Sequence, residues 1–170
     1  MITATIARAV YRVKQFWWAV RAEVPSEDWR EAEERLSQEE LVLFESMDAA
    51  AQRHSLEVYR ALLAGGCDDN DALKAALLHD VGKRKPGLFY RTATVLLTAL
   101  FSKSIERLAA PKPGSWRYGF YTYAHHAEIG AEMLAAAGSE PRVVHLVRAH
   151  HSAPGTDRWL SVLQAADEKN

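Results

Sequence analysis

Three pairs of adjacent polar residues stand at or near the ends of apolar segments of the chain. These pairs are His79-Asp80, His125-His126 and His150-His151. A further acid, Asp167, follows the apolar run SVLQAA. Buried imidazoles and carboxylates are costly unless they are paired or bind a metal, and helical bundles commonly build metal sites from such inward-facing groups. The pattern therefore predicts a metal centre.

The candidate ligands offer only nitrogen and oxygen donors, because the single cysteine, Cys67, lies outside these pairs. Such donors favour manganese, iron or magnesium, while zinc, nickel and cobalt are less favoured. We therefore expect one or two divalent metal ions. One cysteine also excludes a disulfide within the chain, which fits a reducing cytosol, and the apolar stretch at 92–101 is too short to span a bilayer. We expect a cytoplasmic protein.

The elements that must position these groups all read as helices, since we find no strand-like alternation and no internal repeat. Helices are expected at about 3–22, from 26, from 37, 48–64, 69–79, 94–109, 120–137, 141–150 and from 157 to the end. Ser37 with Glu40 indicates a capping box, and Asp48 indicates an N-cap. The sequence predicts an all-α, single-domain helical bundle with the metal centre in its core.

Charge is distributed unevenly along the chain. The net charge of −1 gives no general attraction for nucleic acid, and aromatic residues do not alternate with the bases as stacking platforms would require. Residues 83–117 nevertheless carry eight bases against the single acid Glu106. Because this basic block lies between two histidine-bearing helices, we expect a small anionic substrate and no nucleic acid.

Five sequence elements occur in an order that resembles the HD-domain superfamily of metal-dependent phosphohydrolases. They are His54, HDVGK from His79, AHHAEIGAEML, VRAHHS, and LQAADE with Asp167. The resemblance covers about residues 48–168. It implies an HD-type bundle and hydrolase domain over residues 48–170, preceded by an N-terminal helical extension, residues 1–47, packed on the core.

The resemblance also implies a ligand set for two metals. Four residues would hold the first metal: His54, His79, Asp80 and Asp167. Asp80 would bridge to a second metal, which His126 and His150 would hold, and His151 could replace or join His150. The His-x-x-x-Gly spacing to Gly130 selects His126 over His125. We expect Gly82 to supply a backbone conformation that other residues resist, and Gly130 to allow a close helix approach.

Asp80 and Lys83 are the catalytic residues that the resemblance implies. Lys83 would face the phosphate, and Arg84, Lys85 and Arg117 could hold its remaining charge. Two neighbouring cations would lower the pKa of a shared water and bind a phosphoryl oxygen. The six ligands, the single-domain size and the short spacing from HHS to AADE are most similar to the diadenosine-tetraphosphate hydrolases. The expected substrate is therefore a small phosphorylated molecule, a nucleotide or dinucleoside polyphosphate.

Other functions are compatible with the same residues. Some HD-fold proteins with four histidines and two aspartates are di-iron oxygenases that act on small phosphonates or polyols, and others with reduced ligand sets are nucleotide-sensing modules. Residues 16–18 (Phe-Trp-Trp), together with nearby bases, could also contact a membrane surface or a partner helix. Packing of Trp17 on the core is the favoured interpretation, and the sequence leaves the oligomeric state open.

Overall fold

The computed structural model describes residues 26–83, 111–112, 115, 117–153 and 156–170. Within these residues there are eight α-helices and no strand, so the predicted all-α fold is confirmed. The helices are α1 (Ser26–Glu33), α2 (Gln38–Ser46), α3 (Ala49–Ala64), α4 (Asn70–Leu78), α5 (Tyr118–Ala124), α6 (His126–Ala136), α7 (Pro141–Ala149) and α8 (Arg158–Lys169). The helices predicted at 3–22 and 94–109 fall outside the described residues.

The predicted start signals are confirmed where the structure describes them. Ser37 and Glu40 form the expected capping box, in which each side chain accepts a hydrogen bond from the other residue's backbone N–H. The Asp48 carboxylate accepts from the backbone N–H groups two and three residues later, and Asp69 caps α4 through one bond, from the Ala72 N–H. These bonds satisfy N–H groups that a helix leaves without a partner in its first turn.

The prediction of one helix over 120–137 is wrong, because this segment forms two helices, α5 and α6. His125 separates them with φ −114° and ψ 16°, which lies outside the helical range. Its N–H still bonds to the Tyr121 carbonyl, and its own carbonyl accepts from Ile129, so the chain bends without losing these hydrogen bonds. The break makes His126 the first residue of α6.

Helix α4 occupies the centre of the bundle. Every residue from Ala72 to Leu78 is buried, and the helix packs against α2, α3, α7 and α8. Lys74 projects from it and places its Nζ 3.1 Å from a carboxylate oxygen of Glu40, a residue that is 1% exposed. This ion pair joins α2 to the bundle core, while the division at residues 47 and 48 stays a prediction.

Three helices end near one another and bring polar residues to the same place. His79 directly follows α4, His150 directly follows α7, and Asp167 lies in the last turn of α8. In the part of the chain that the structure describes, no helix is both long and apolar enough to cross a membrane.

Candidate metal centre

The structure brings the first four predicted ligands together. The His54 Nε2 atom lies 2.8 Å from Asp167 Oδ1, and His79 Nε2 lies 3.4 Å from the same oxygen. His79 Nε2 is also 3.5 Å from Asp80 Oδ1. These residues come from α3, from the end of α4 and from α8, so tertiary packing assembles the group.

A second group of three imidazoles lies beside the first. His126 Nε2 is 3.2 Å from His150 Nε2 and 3.0 Å from His151 Nε2. It is also 3.6 Å from Asp80 Oδ1. Asp80 therefore lies between the two groups, as a carboxylate that serves both must. His151 is exposed whereas His150 is buried, and the Nε2 atoms of both lie close enough to His126 to share a cation.

The buried histidines are held in one orientation by their own backbone. In three of them Nδ1 lies close to the carbonyl oxygen of the residue three positions earlier. A carbonyl can only accept, so Nδ1 carries a proton, and when the ring is neutral its Nε2 lone pair points into the centre. The Nδ1–O distances are 2.9 Å for His79 and Ala76, 2.7 Å for His126 and Tyr123, and 2.6 Å for His150 and Val147.

The polar atoms of the centre fit a divalent metal. Among the described residues, His79 Nε2 and Asp80 Oδ1 are buried without a hydrogen bond, while Oδ1 has the Lys83 ammonium 2.7 Å away as an ion-pair partner. With Nδ1 protonated in both rings, the Nε2 atoms of His126 and His150 are two acceptors 3.2 Å apart; His151 Nε2–H can donate to His126 at 3.0 Å, and a cation could bind all three nitrogens. Buried acceptors without partners are costly. Cations would satisfy all four atoms at once.

Both carboxylates of the centre are held in their ionised form. Burial raises the pKa of Asp80, but the charges of His79 and Lys83 outweigh it and hold the pKa well below its ordinary value. Burial likewise opposes ionisation of Asp167, but the hydrogen bond with His54 and the nearby His79 imidazole lower its pKa strongly. Ionised carboxylates are the form that binds a metal.

The pKa values of the imidazoles shift in two directions. Burial lowers the pKa of His126 to about 4 and that of His150 to about 3, and burial also lowers the pKa of His151. Burial acts on His79 in the same direction, but the charge of Asp80 reverses it and raises the pKa of His79. A second proton on His79, at Nε2, would therefore occupy the place beside Asp80 that a cation would fill.

Two glycines let the chain after α4 touch α6. A Cβ atom on Gly82 would lie 2.0 Å from the His126 carbonyl oxygen and 2.6 Å from the Gly130 nitrogen. A Cβ on Gly130 would lie 3.2 Å from the Gly82 nitrogen, in agreement with the expected close approach. The expected special conformation at Gly82 is wrong, because the described glycines with positive φ are Gly66 and Gly138. The lack of a side chain is what Gly82 contributes.

The predicted substrate-binding residues are only partly described. Lys83 Nζ lies 2.7 Å from the Asp80 carboxylate and 5.8 Å from the centre of the Tyr123 ring, so it stands at the edge of the centre. Arg117 is half-buried at the N-cap of α5. Arg84 and Lys85 lie outside the described residues. Phosphate binding by these four bases stays a prediction.

Gln164 is a contact residue that sequence reasoning missed. Its Nε2 donates to the carbonyls of Ala149 and Ser152 at 3.3 and 2.9 Å, and these carbonyls flank the His150-His151 pair. The sequence feature that could have identified Gln164 is its position on α8, three residues before Asp167. Gln164 thus ties the segment that carries two imidazoles to the helix that carries the second carboxylate.

The family model of the HD domain matches residues 52–169, a range that includes all seven candidate ligands. No curated protein and no solved structure matches the chain. The family match covers more than half of the sequence, and its first and last residues enclose both ligand groups. The chain therefore belongs to the HD domain family.

Proposed function

We propose that this protein is a phosphohydrolase that uses two divalent metal ions to cleave a phosphate ester or anhydride. The HD domain family consists mostly of metal-dependent phosphohydrolases. The observation that carries the proposal is the position of Asp80, whose Oδ1 lies within 3.6 Å of both His79 Nε2 and His126 Nε2. One carboxylate between two histidine groups suits a pair of neighbouring cations.

The residues divide between the two ions by proximity. The first ion is assigned to four residues: His54, His79, Asp80 and Asp167. The second is assigned to Asp80 with His126 and His150. The fixed Nδ1–H of His150 favours it over His151, because a neutral imidazole with its Nε2 lone pair aimed at the centre is ready to bind a metal. Manganese, iron and magnesium remain the favoured metals.

The chain's own side chains account for the remaining requirements of phosphoryl transfer. Bound divalent ions supply a water of lowered pKa and withdraw charge from a phosphoryl oxygen. Lys83 lies at the edge of the centre with its ammonium against Asp80, where it can bind a phosphate oxygen and stabilise the charge of the transition state. The Nδ1–H bonds orient three imidazoles before the substrate enters, so these side chains need little rearrangement for the reaction.

The proposed substrate is a nucleotide or dinucleoside polyphosphate. The eight bases in residues 83–117 support an anionic substrate with several charges. The likeness of the ligand order to diadenosine-tetraphosphate hydrolases supports the same class. No thiol or hydroxyl nucleophile is required, because water is the attacking group in this mechanism.

Metal analysis combined with a substrate panel tests this proposal. The purified chain should contain close to two metal ions and should hydrolyse at least one of a set of nucleotides, dinucleoside polyphosphates and generic phosphodiesters. Asp80→Ala should abolish both metal content and activity. The matched control is Asp68→Ala, at an exposed aspartate before α4, which should change neither.

Two results would overturn the proposal. Full activity in Asp80→Ala would remove the bridging carboxylate from the mechanism. If the iron-loaded protein consumed oxygen and hydrolysed no phosphate compound, the proposed activity would be oxygenation and not hydrolysis.

A further inference from the structure

Arg142 contacts the first turns of two other helices from its place at the start of α7. Its Nη1 donates to both carboxylate oxygens of Asp69 at 2.7 and 2.6 Å. Its Nη2 and Nε lie 3.3 and 3.4 Å from Asp157 Oδ2. We call these contacts the Arg142 clamp. The clamp joins α7 to the residues that begin α4 and α8.

Both carboxylates in the clamp are themselves fixed to helix backbone. Asp69 Oδ1 accepts from the Ala72 N–H at 3.0 Å, and Asp157 Oδ1 accepts from the Trp159 N–H at 2.8 Å. Each is the N-cap of its helix. The guanidinium therefore contacts groups that move with the helices, so a shift of α4 or α8 along its axis would strain the clamp.

The three helices run from the clamp to the candidate metal centre. Asp69 precedes His79, Arg142 precedes His150, and Asp157 precedes Asp167, so the clamp is about two to three helical turns from each of the last residues. Helix α4 packs against both α7 and α8. A single guanidinium thus links the starts of the three helices that carry these ligands.

Partial exposure limits the stability that each ion pair of the clamp contributes. The Arg142 side chain is 37% exposed, and those of Asp69 and Asp157 are 23% and 26% exposed. Isolated ion pairs at such sites contribute little to stability, whereas a network of several charges contributes more, so the unfolding free energy of each variant has to be measured beside its metal affinity. Metal affinity should change more than stability does, because it depends on the separations of the ligands, which small axial shifts of the helices alter.

We propose that Arg142 is a positioning residue that sets the metal affinity of the centre by fixing the relative positions of α4, α7 and α8. This inference rests on the proposed metal centre. Arg142 touches none of the candidate ligands in the contacts described above, and its action is transmitted along the three helices.

The test is the affinity of the full, chelator-treated chain for Mn²⁺, measured by titration calorimetry. Arg142→Met should weaken binding by about tenfold, within the range for substitutions that affect a site without contacting it. Arg142→Lys should recover part of this loss, because an ammonium can still bind one carboxylate. Circular dichroism and urea unfolding of the metal-free proteins show whether each variant is folded.

A second substitution keeps the test informative if Arg142→Met does not fold. Asp157→Asn removes one charge of the clamp but retains an N-cap, because asparagine caps helices as well as aspartate. It should weaken Mn²⁺ binding by a smaller factor than Arg142→Met. The double variant should bind no more weakly than Arg142→Met alone, since both changes break the same contact.

Arg60→Met is the matched control, because Arg60 on α3 pairs with Glu31 of α1 at 2.6 Å, and α1 carries no candidate ligand. It should bind Mn²⁺ as the wild type does. Wild-type affinity in folded Arg142→Met, or in Asp157→Asn, would overturn the inference, as would equal weakening in Arg60→Met. A wild-type chain that binds no Mn²⁺ or other divalent ion would instead refute the metal centre, and the positioning role with it.

Discussion

The absence of a side chain at Gly82 is required for the close contact between the Asp80 segment and α6. The residue lies between Asp80 and Lys83 of the centre and the first turn of α6, and an added Cβ would lie 2.0 Å from the His126 carbonyl oxygen. Backbone cannot rotate away as a flexible side chain can. The glycine therefore fixes how closely the Asp80 segment approaches His126, and with it the separation of the two ligand groups.

Gly82→Ala should lower the free energy of unfolding by about 3 kcal/mol, at the upper end of the usual cost of overpacking. It should also reduce the metal content, because α6 must move away from Asp80. Urea unfolding and metal analysis check both effects. Gly65→Ala is the comparison, since its Cβ would lie 3.3 Å from two carbonyl oxygens, a milder crowding that a much smaller shift would relieve. Equal, small effects in the two variants would contradict this account.

The N-cap of α3 stabilises the helix that carries His54. Asp48 Oδ1 accepts hydrogen bonds from the N–H groups of Ala50 and Ala51 at 3.1 and 3.0 Å. His54 follows within the next two turns and reaches Asp167 on α8. Fraying of the first turn would therefore loosen a candidate ligand as well as the helix.

Asp48→Ala should cost about 1 kcal/mol of unfolding free energy, the usual value for loss of an N-cap. Asp48→Asn should retain most of the stability, because an amide oxygen can accept the same bonds. Thermal or urea unfolding of the two variants beside the wild type measures the difference. Equal losses in both variants would show that the charge of Asp48, and not its capping bond, stabilises the helix.

Helix starts could be predicted from sequence because they depend on nearby residues. Ser37 with Glu40, and Asp48, satisfy N–H groups within three positions of themselves. The break at His125 could not be predicted in this way. The apolar pattern continues through it, and the separation of α5 from α6 accompanies tertiary contacts of His126 with α7 and with the segment that holds Asp80.

At the scale of the whole molecule, burial of neutral imidazoles makes stability depend on pH. The pKa values of His126 and His150 fall to about 4 and about 3 in the folded chain, whereas an ordinary histidine has a pKa of about 6.5. Below pH 6.5 the unfolded chain therefore binds protons that the folded chain does not. The pKa of His79 shifts upward, so the contribution of His79 to stability persists at acidic pH.

The metal-free protein should lose stability as the pH falls from 7 to 5, by about 2 kcal/mol for each of the two buried imidazoles before the opposing effect of His79. His150→Gln should remove about half of this dependence, because glutamine does not titrate. Urea unfolding at both pH values, in the presence of a chelator, measures it. His145→Gln, at an exposed histidine of the same helix, should behave as the wild type.

An unchanged pH dependence in His150→Gln would contradict the assignment. It would show that other groups, and not the buried imidazoles, control acid unfolding of the chain.

The convergence of the ligands could be predicted only through the ordered motifs of the family. Nothing local links His54 to Asp167, yet their side chains meet at 2.8 Å. The identity of the ligand types followed from chemistry, since buried histidines and aspartates require partners. Gln164 and Arg142 escaped sequence reasoning because their partners are backbone carbonyls and N-caps on other helices, which no spacing along the chain reveals.

The Nδ1–H bonds of His79, His126 and His150 have a consequence for charge balance. Each bond ends on a carbonyl in the last turn of α4, α5 or α7, where helices leave such groups without partners and hold partial negative charge, up to about half an electron in a long helix. Two divalent ions would bring four positive charges, and Asp80 and Asp167 return only two. With cations bound, the polarised imidazoles would bring this helix-end negative charge close to them, so the backbone itself would supply part of the neutralisation that further acids would otherwise provide.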